Sequence, residues 1–188
     1  LFLALALTLT TGMFQSISAK ETSNSTKVPY IELNNGVKMP QFGLGTFMLD
    51  DKNTEAYNAV LTALKAGYRH IDTAHAYGNE RSVGRAIKDS GIPREEIWVT
   101  SKLWPNEYGE GETTEALDRM LKRLGLDYID MVYIHQPVGD VYGAWKDLIK
   151  AQKAGKVKAI GVSNFDKDEK LFDSFIKTVE VKPQTMQL

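Results

Sequence analysis

Apolar and polar positions along the chain follow two periods. Short apolar runs bounded by turn residues mark strands, and recurrences at i, i+3, i+4 and i+7 mark helices. Residues 30–33 and 37–39 flank Asn34-Asn35-Gly36. That turn tolerates positive φ and predicts a tight hairpin. A short strand is predicted over 41–47. A helix over 54–66 follows, with Ala56, Val60, Ala63 and Leu64 on one face and Gly67 as its stop. Strands over 68–72, 97–102, 128–135, 157–162 and 184–188 then alternate with helices over 80–90, 113–124, 142–154 and 166–180. The apolar face of the third helix is Leu117, Met120, Leu121 and Leu124, that of the fourth Trp145, Leu148 and Ile149, and that of the last Phe172, Phe175, Ile176 and Val179. Gly91, Gly125 and Gly155 end the second, third and fourth helices, and Asp166 with Glu169 is expected to cap the start of the last.

Strands alternating with helices imply an α/β fold with a parallel sheet and right-handed crossovers. Two architectures compete, a doubly wound open sheet and a (β/α)8 TIM barrel. Asp72, Lys102, His135 and Asn164 stand at the C-terminal ends of four successive strands, separated by 30, 33 and 29 residues. In a barrel such ends converge on one mouth, whereas an open sheet spreads them along an edge. The spacing therefore favours a barrel. Gly43-Leu44-Gly45-Thr46 lacks the third glycine and the following helix of a dinucleotide-binding loop. A complete barrel takes about 250 residues. The pattern here supplies six strands, so the expectation is a barrel with an N-terminal β-hairpin, truncated after about the sixth strand.

The first residues read differently. LFLALALTLTTGMF is an apolar stretch of export-signal length, followed by the small residues before Lys20. It is short for a membrane span of about 20 residues. No basic segment precedes it. A buried N-terminal helix is the alternative, but Thr8, Thr10, Thr11 and Gly12 interrupt it. The organisation expected is a signal peptide over 1–19, a flexible Ser/Thr-rich tail over 20–28 and an incomplete barrel domain over 29–188. Export would place the protein in a periplasm or outside the cell, with the cytoplasm as the alternative. No stable membrane anchor is expected after signal cleavage, and the chain is read as a monomer.

Composition narrows the chemistry. The 188 residues carry 23 Lys+Arg against 24 Asp+Glu, so no basic excess points to nucleic acid or an anionic membrane as partner. Zero cysteines remove disulfides and thiolate chemistry, and three histidines leave little for a metal centre. His70 and His75 lie five apart across a strand-to-loop junction with no third histidine nearby, so no metal site is expected.

The strand-end residues suit one kind of reaction. A tyrosine hydroxyl has an ordinary pKa near 10 and donates poorly at neutral pH unless a cation stabilises the phenolate. Lys102 can supply that cation, Asp72 can hold the lysine, and Tyr77 stands five residues after Asp72. His135 can orient a substrate carbonyl. Such a group protonates an oxygen on which negative charge develops, as in a carbonyl accepting hydride. The chain has no hydride of its own, so a nicotinamide or flavin is required. Taken singly, Asp72 could cap a loop, Tyr77 could pack, and Lys102 could be a solvated end.

The motifs carry a specific likeness. Gly67-Tyr68-Arg69-His70-Ile71-Asp72-Thr73-Ala74 with Tyr77, Glu80 and Gly84 resembles the first signature of the aldo-keto reductase superfamily. Lys158-Ala159-Ile160-Gly161-Val162-Ser163-Asn164-Phe165 resembles its later signature, and Ser101-Lys102-Leu103-Trp104 and Ile134-His135-Gln136-Pro137 resemble its lysine and histidine segments. The resemblance spans about 28–188. It implies a (β/α)8 barrel that reduces aldehydes or ketones to alcohols with NADPH, or with NADH. It implies Tyr77 as general acid, Lys102 and Asp72 as its partners, and His135 as the residue orienting a small carbonyl substrate. It also implies Thr46, Asp72, Ser163, Asn164 and Gln187 around the nicotinamide and its ribose, and Phe47 and Trp104 on the substrate wall. Phe47 and Gln136 stand where many relatives carry tryptophan, so a less aromatic pocket is expected, and Met186 stands where an asparagine is usual, which loses a polar contact but not the role of Gln187. The loops that bind pyrophosphate and 2′-phosphate in the family follow later strands, so this chain alone is expected to bind NADPH poorly and to be inactive. The alternatives are a cofactor-holding regulatory barrel with negligible turnover and a barrel hydrolase using Asp72 and His135 on a metal.

Overall fold

The computed structural model describes residues 28–188 except Asn53. The apolar stretch 1–19 and tail residues 20–27 lie outside the described residues. β1 (Tyr30–Glu32) and β2 (Lys38–Pro40) form the predicted antiparallel hairpin, with Ile31 opposite Met39. Gly36, at φ 81°, makes the turn.

Six further strands form one parallel sheet in strictly sequential order: β3 (Leu44–Gly45), β4 (His70–Asp72), β5 (Trp98–Leu103), β6 (Ile129–Ile134), β7 (Val157–Ser163) and β8 (Thr185–Gln187). The crossovers carry α1 (Glu55–Lys65), α2 (Glu80–Asp89), α3 (Glu112–Leu124), α4 (Val141–Lys153) and α5 (Glu169–Thr178). A doubly wound sheet reverses its strand order at a switch point. This one does not, and its order is that of a (β/α)8 barrel.

The side-chain period of two divides the sheet into two chemistries. Val99, Leu103, Val132, Ile134, Ile160 and Val162 point outward and join the helices in the main core. In α3, Ala116, Leu117, Met120 and Leu124 are buried against it, and each large aliphatic side chain contributes about 1.5–3 kcal/mol. Leu121, Ile149, Phe172 and Ile176 are only partly buried at its margin. Trp98, Met131, Tyr133 and Ala159 point the other way and pack around Leu33, Val37 and Met39 of the hairpin. The hairpin thus closes the N-terminal end of the curled sheet. Further along the same inner rows the side chains turn polar, ending at Asp72, Lys102, Ser163 and Gln187. Gly161 lies on an inner row, where a Cβ would sit 2.5 Å from the Tyr133 ring and 2.7 Å from the Thr185 carbonyl oxygen.

One boundary differs from expectation. Asp166 and Glu169 do not cap α5. Asp168 does, its Oδ1 accepting from the Leu171 N–H at 2.9 Å. Asn164 adopts the left-handed conformation (φ 62°) after β7, and fully buried Phe165 anchors a separate turn over Phe165–Lys167. The helix therefore starts only at Glu169.

Candidate functional site

The polar row meets at the C-terminal ends of β4 to β8. Lys102 ends an inner row of β5 and is only 1% exposed. Its ammonium pairs with Asp72 Oδ1, donates to the Thr73 carbonyl at 2.9 Å, and donates to the Tyr77 hydroxyl at 3.2 Å. An ammonium has three donors and no acceptor. All three are therefore used, and the hydroxyl of Tyr77 receives one of them. Its own proton is left to point at whatever enters the cavity.

Tyr77 is held there by a short turn, His75–Tyr77, ended by Gly78 at φ 71°. Asn79 fixes that turn from behind. It is fully buried, its Oδ1 accepts the Thr46 and Thr73 hydroxyls at 3.2 and 2.8 Å, and its Nδ2 donates to the Thr46 and Leu49 carbonyls at 2.8 and 3.1 Å. Buried Glu107 supports the same rim from the next loop. Its Oε2 accepts the Trp104 N–H at 3.0 Å and lies 2.7 Å from His75 Nδ1. Sequence reasoning missed both residues. Asn79 stands before a helix, where it reads as an ordinary cap, and Glu107 reads as a solvated loop charge.

His135 follows β6 and is 8% exposed. Its ring meets Tyr77 edge-on at 5.9 Å between centroids and Trp104 at 5.1 Å. Burial, reinforced by the Lys102 ammonium, lowers its pKa from 6.5 to about 4. It is neutral at pH 7, with one ring nitrogen able to donate and one to accept. Nδ1 is shielded and has no hydrogen-bond partner among the described residues.

These side chains line one cavity of about 610 Å³, whose wall includes Phe47, Tyr77, Trp104, His135, Ser163, Asn164 and Gln187. Phe47 also packs on the Tyr77 ring at 5.1 Å. Asn164 Nδ2 donates to the His135 carbonyl at 2.9 Å and to Ser163 Oγ at 3.0 Å, and Gln187 Nε2 donates to Asp72 Oδ2 at 3.0 Å. The Ser163 hydroxyl proton and Gln187 Oε1 remain, one donor and one acceptor on two residues of the cavity wall. Thr46 is placed differently. It is fully buried beneath the site, its single hydroxyl proton shared between the Asp72 carbonyl at 3.1 Å and Asn79 Oδ1 at 3.2 Å, and it does not line the cavity.

The arrangement can receive a carbonyl oxygen between a tyrosine O–H and a neutral histidine, with a cation behind the tyrosine. Among the described residues, no group of three or more His, Asp or Glu side chains could hold a metal. His70 faces the barrel interior instead, Nε2 lying 2.9 Å from Thr100 Oγ1 and Nδ1 3.3 Å from the Pro40 carbonyl.

Comparison with known proteins identifies a family and several relatives. A profile of the Aldo/keto reductase family matches residues 41–184. The glyoxal reductase of Bacillus subtilis is 46% identical over 159 residues, which are 84% of this chain and 56% of that protein. The glycerol 2-dehydrogenase (NADP(+)) of Saccharomyces cerevisiae is 46% identical over 171 residues, 76% of this chain and 53% of that one. A crystal structure of a Bombyx mori aldo-keto reductase in complex with NADP superposes with a TM-score of 0.79 at 34% identity, covering 85% of this chain and 57% of that chain. The chain spans a little over half the length of these relatives.

Proposed function

The chain belongs to the aldo/keto reductase family, and we propose that the protein reduces small aldehydes or ketones to alcohols with Tyr77 as general acid. The observation that carries this reading is the fully engaged Lys102 ammonium, which leaves the Tyr77 proton directed to the cavity.

The residues present fit a nicotinamide. Its carboxamide needs a donor for its oxygen and an acceptor for its N–H, and the Ser163 hydroxyl and Gln187 Oε1 are of those kinds. NADPH, or NADH, would supply the hydride. The protein's own part is to bind, orient and protonate. Phe47 and Trp104 give the substrate an apolar wall. Neutral His135 donates a hydrogen bond to the carbonyl oxygen and sets its direction. As negative charge grows on that oxygen, Tyr77 gives up its proton. The phenolate then forms 3.2 Å from a buried ammonium, and Asp72 keeps that ammonium in place. The similarity to a glyoxal reductase and a glycerol 2-dehydrogenase supports substrates of a few carbons with more than one oxygen.

The test uses the full-length protein with NADPH and a panel of small aldehydes, followed by loss of reduced-nicotinamide absorbance. Tyr77→Phe should lower kcat by roughly 10²–10⁴-fold. Turnover within twofold of the parent would sink the general-acid role. Cofactor retention without turnover on any carbonyl would favour a regulatory barrel instead. Export is part of the same proposal. Fractionation of cells making the full-length protein tests it, and recovery only from the cytoplasm would refute it.

A further inference from the structure

The polar side chains on the wall of the mouth cavity are Tyr77, His135, Gln136, Ser163, Asn164 and Gln187. All but one are accounted for. Tyr77 accepts from Lys102, and His135 meets the reacting oxygen. Asn164 is engaged at both ends, Nδ2 donating to the His135 carbonyl and Oδ1 accepting from Lys167 Nζ at 2.6 Å. Ser163 and Gln187 keep the donor and the acceptor suited to a carboxamide. Gln136 has neither a part in the reaction nor a partner. Its side-chain amide makes no hydrogen bond among the described residues, only its backbone does. The residue is half-buried, and neither amide atom is among the shielded atoms without a partner, so both are accessible.

The backbone beneath this side chain is fixed. The Gln136 N–H donates to the Tyr108 hydroxyl at 2.9 Å, and that hydroxyl lies 3.3 Å from the carbonyl oxygens of both Gln136 and Leu103. Tyr108 is itself buried. Pro137 follows and holds residue 136 to extended conformations. A long polar side chain is thus mounted on a rigid segment and left unused. On open surface a glutamine needs no explanation. On a cavity wall, a substrate that covers it strips its water, and an amide left without a replacement partner weakens binding. Any substrate must therefore answer the amide or lose by covering it. His135 and Gln136 are consecutive, with Cα atoms about 3.8 Å apart. Where the first binds the carbonyl oxygen, the second stands beside the neighbouring carbon. Phe47 and Trp104 supply the apolar part of the wall.

We propose that Gln136 is the specificity-determining residue of this site: its amide hydrogen-bonds an oxygen on the carbon next to the reacting carbonyl, so that 2-hydroxy and 2-oxo aldehydes are preferred over plain alkyl aldehydes. An amide carries both donors and an acceptor, so it answers a hydroxyl or a second carbonyl. The proposal rests on the reductase reading and leaves its chemistry unchanged. Hydride from the reduced nicotinamide goes to the carbonyl carbon and the Tyr77 proton to its oxygen, while Gln136 selects what lies beside them.

The experiment measures kcat/KM of the full-length protein with NADPH for 2-hydroxypropanal, 2-oxopropanal and propanal, which differ only in the oxygen at the second carbon. Their intrinsic reactivities differ, so the readout is how each preference over propanal changes between parent and variant. Gln136→Met, which keeps much of the length and removes the amide, should lower both preferences about tenfold. Gln136→Glu keeps an acceptor and loses the donors, so it should retain the preference for 2-hydroxypropanal and lose that for 2-oxopropanal. Unchanged preferences in Gln136→Met overturn the proposal, whether all three rates fall together, as a merely structural role requires, or none falls. Retention of the 2-oxopropanal preference by Gln136→Glu overturns it as well. No turnover of any of the three by the parent overturns the reductase reading itself, and this proposal with it.

Discussion

Asp72→Asn is expected to destabilise the chain more than Lys102→Met, and the double variant less than the sum of the two. The reason is unequal burial. The Lys102 side chain is 1% exposed and the Asp72 side chain 15%. Breaking a buried pair by removing one partner costs about 3–5 kcal/mol, because the other charge is left uncompensated. In Asp72→Asn the stranded charge is the ammonium, met only by neutral acceptors (the new amide oxygen, the Thr73 carbonyl and the Tyr77 hydroxyl), so about 3 kcal/mol is expected. In Lys102→Met the stranded charge is a carboxylate that keeps the Gln187 amide at 3.0 Å and some water, so about 2 kcal/mol is expected. Methionine also fills much of the lysine's volume. The double variant has no stranded charge, so the coupling between the sites should be at least about 1.5 kcal/mol. Urea unfolding of the four proteins, with a common m-value, measures the cycle. Additive costs, or a larger loss in Lys102→Met, would refute the account of the pair as a mutually compensated buried charge.

Acid should weaken the fold before the carboxylates titrate. Burial lowers the pKa of His70 and takes that of His135 to about 4, so the folded chain binds fewer protons than the unfolded one below pH 6.5. Stability is then full above the unfolded value of 6.5 and falls as pH drops toward about 4, by at most about 3 kcal/mol for His135. Urea midpoints at about pH 7 and about pH 5 that coincide would contradict this, and His135→Gln should flatten the difference. Gly84→Ala should lower the thermal midpoint despite alanine's higher helix propensity of about 1 kcal/mol, because the new Cβ meets the backbone of Leu124 at 1.9 Å. A raised midpoint would show that α2 and α3 cross elsewhere. The cavity wall carries no arginine or lysine among the described residues, so the chain alone should bind NADPH with a Kd above about 0.1 mM. Quenching of Trp104 by micromolar NADPH would overturn that.

The groups proposed to do the chemistry are readable because their positions are constrained twice. Asp72, Lys102 and His135 must lie at strand ends to reach one mouth, and each must be a polar residue closing an apolar run. Both conditions leave a mark at a spacing of one strand–helix unit. The groups that hold them in place carry no such mark. Asn79 makes four hydrogen bonds to two other segments, yet an asparagine before a helix looks the same whether it caps that helix or staples a barrel rim. Glu107 is 3% exposed in a loop whose local composition reads as solvated. The start of α5 was misplaced for a related reason. The local pattern points to Asp166 as the cap, and burial of Phe165, a tertiary effect, moves the helix start on to Asp168. Chemistry that must converge on a strand end is written in the local pattern. Support that depends on which helices touch is written only in contacts between distant segments, and that is where substitutions silent in the pattern will act most strongly on this fold.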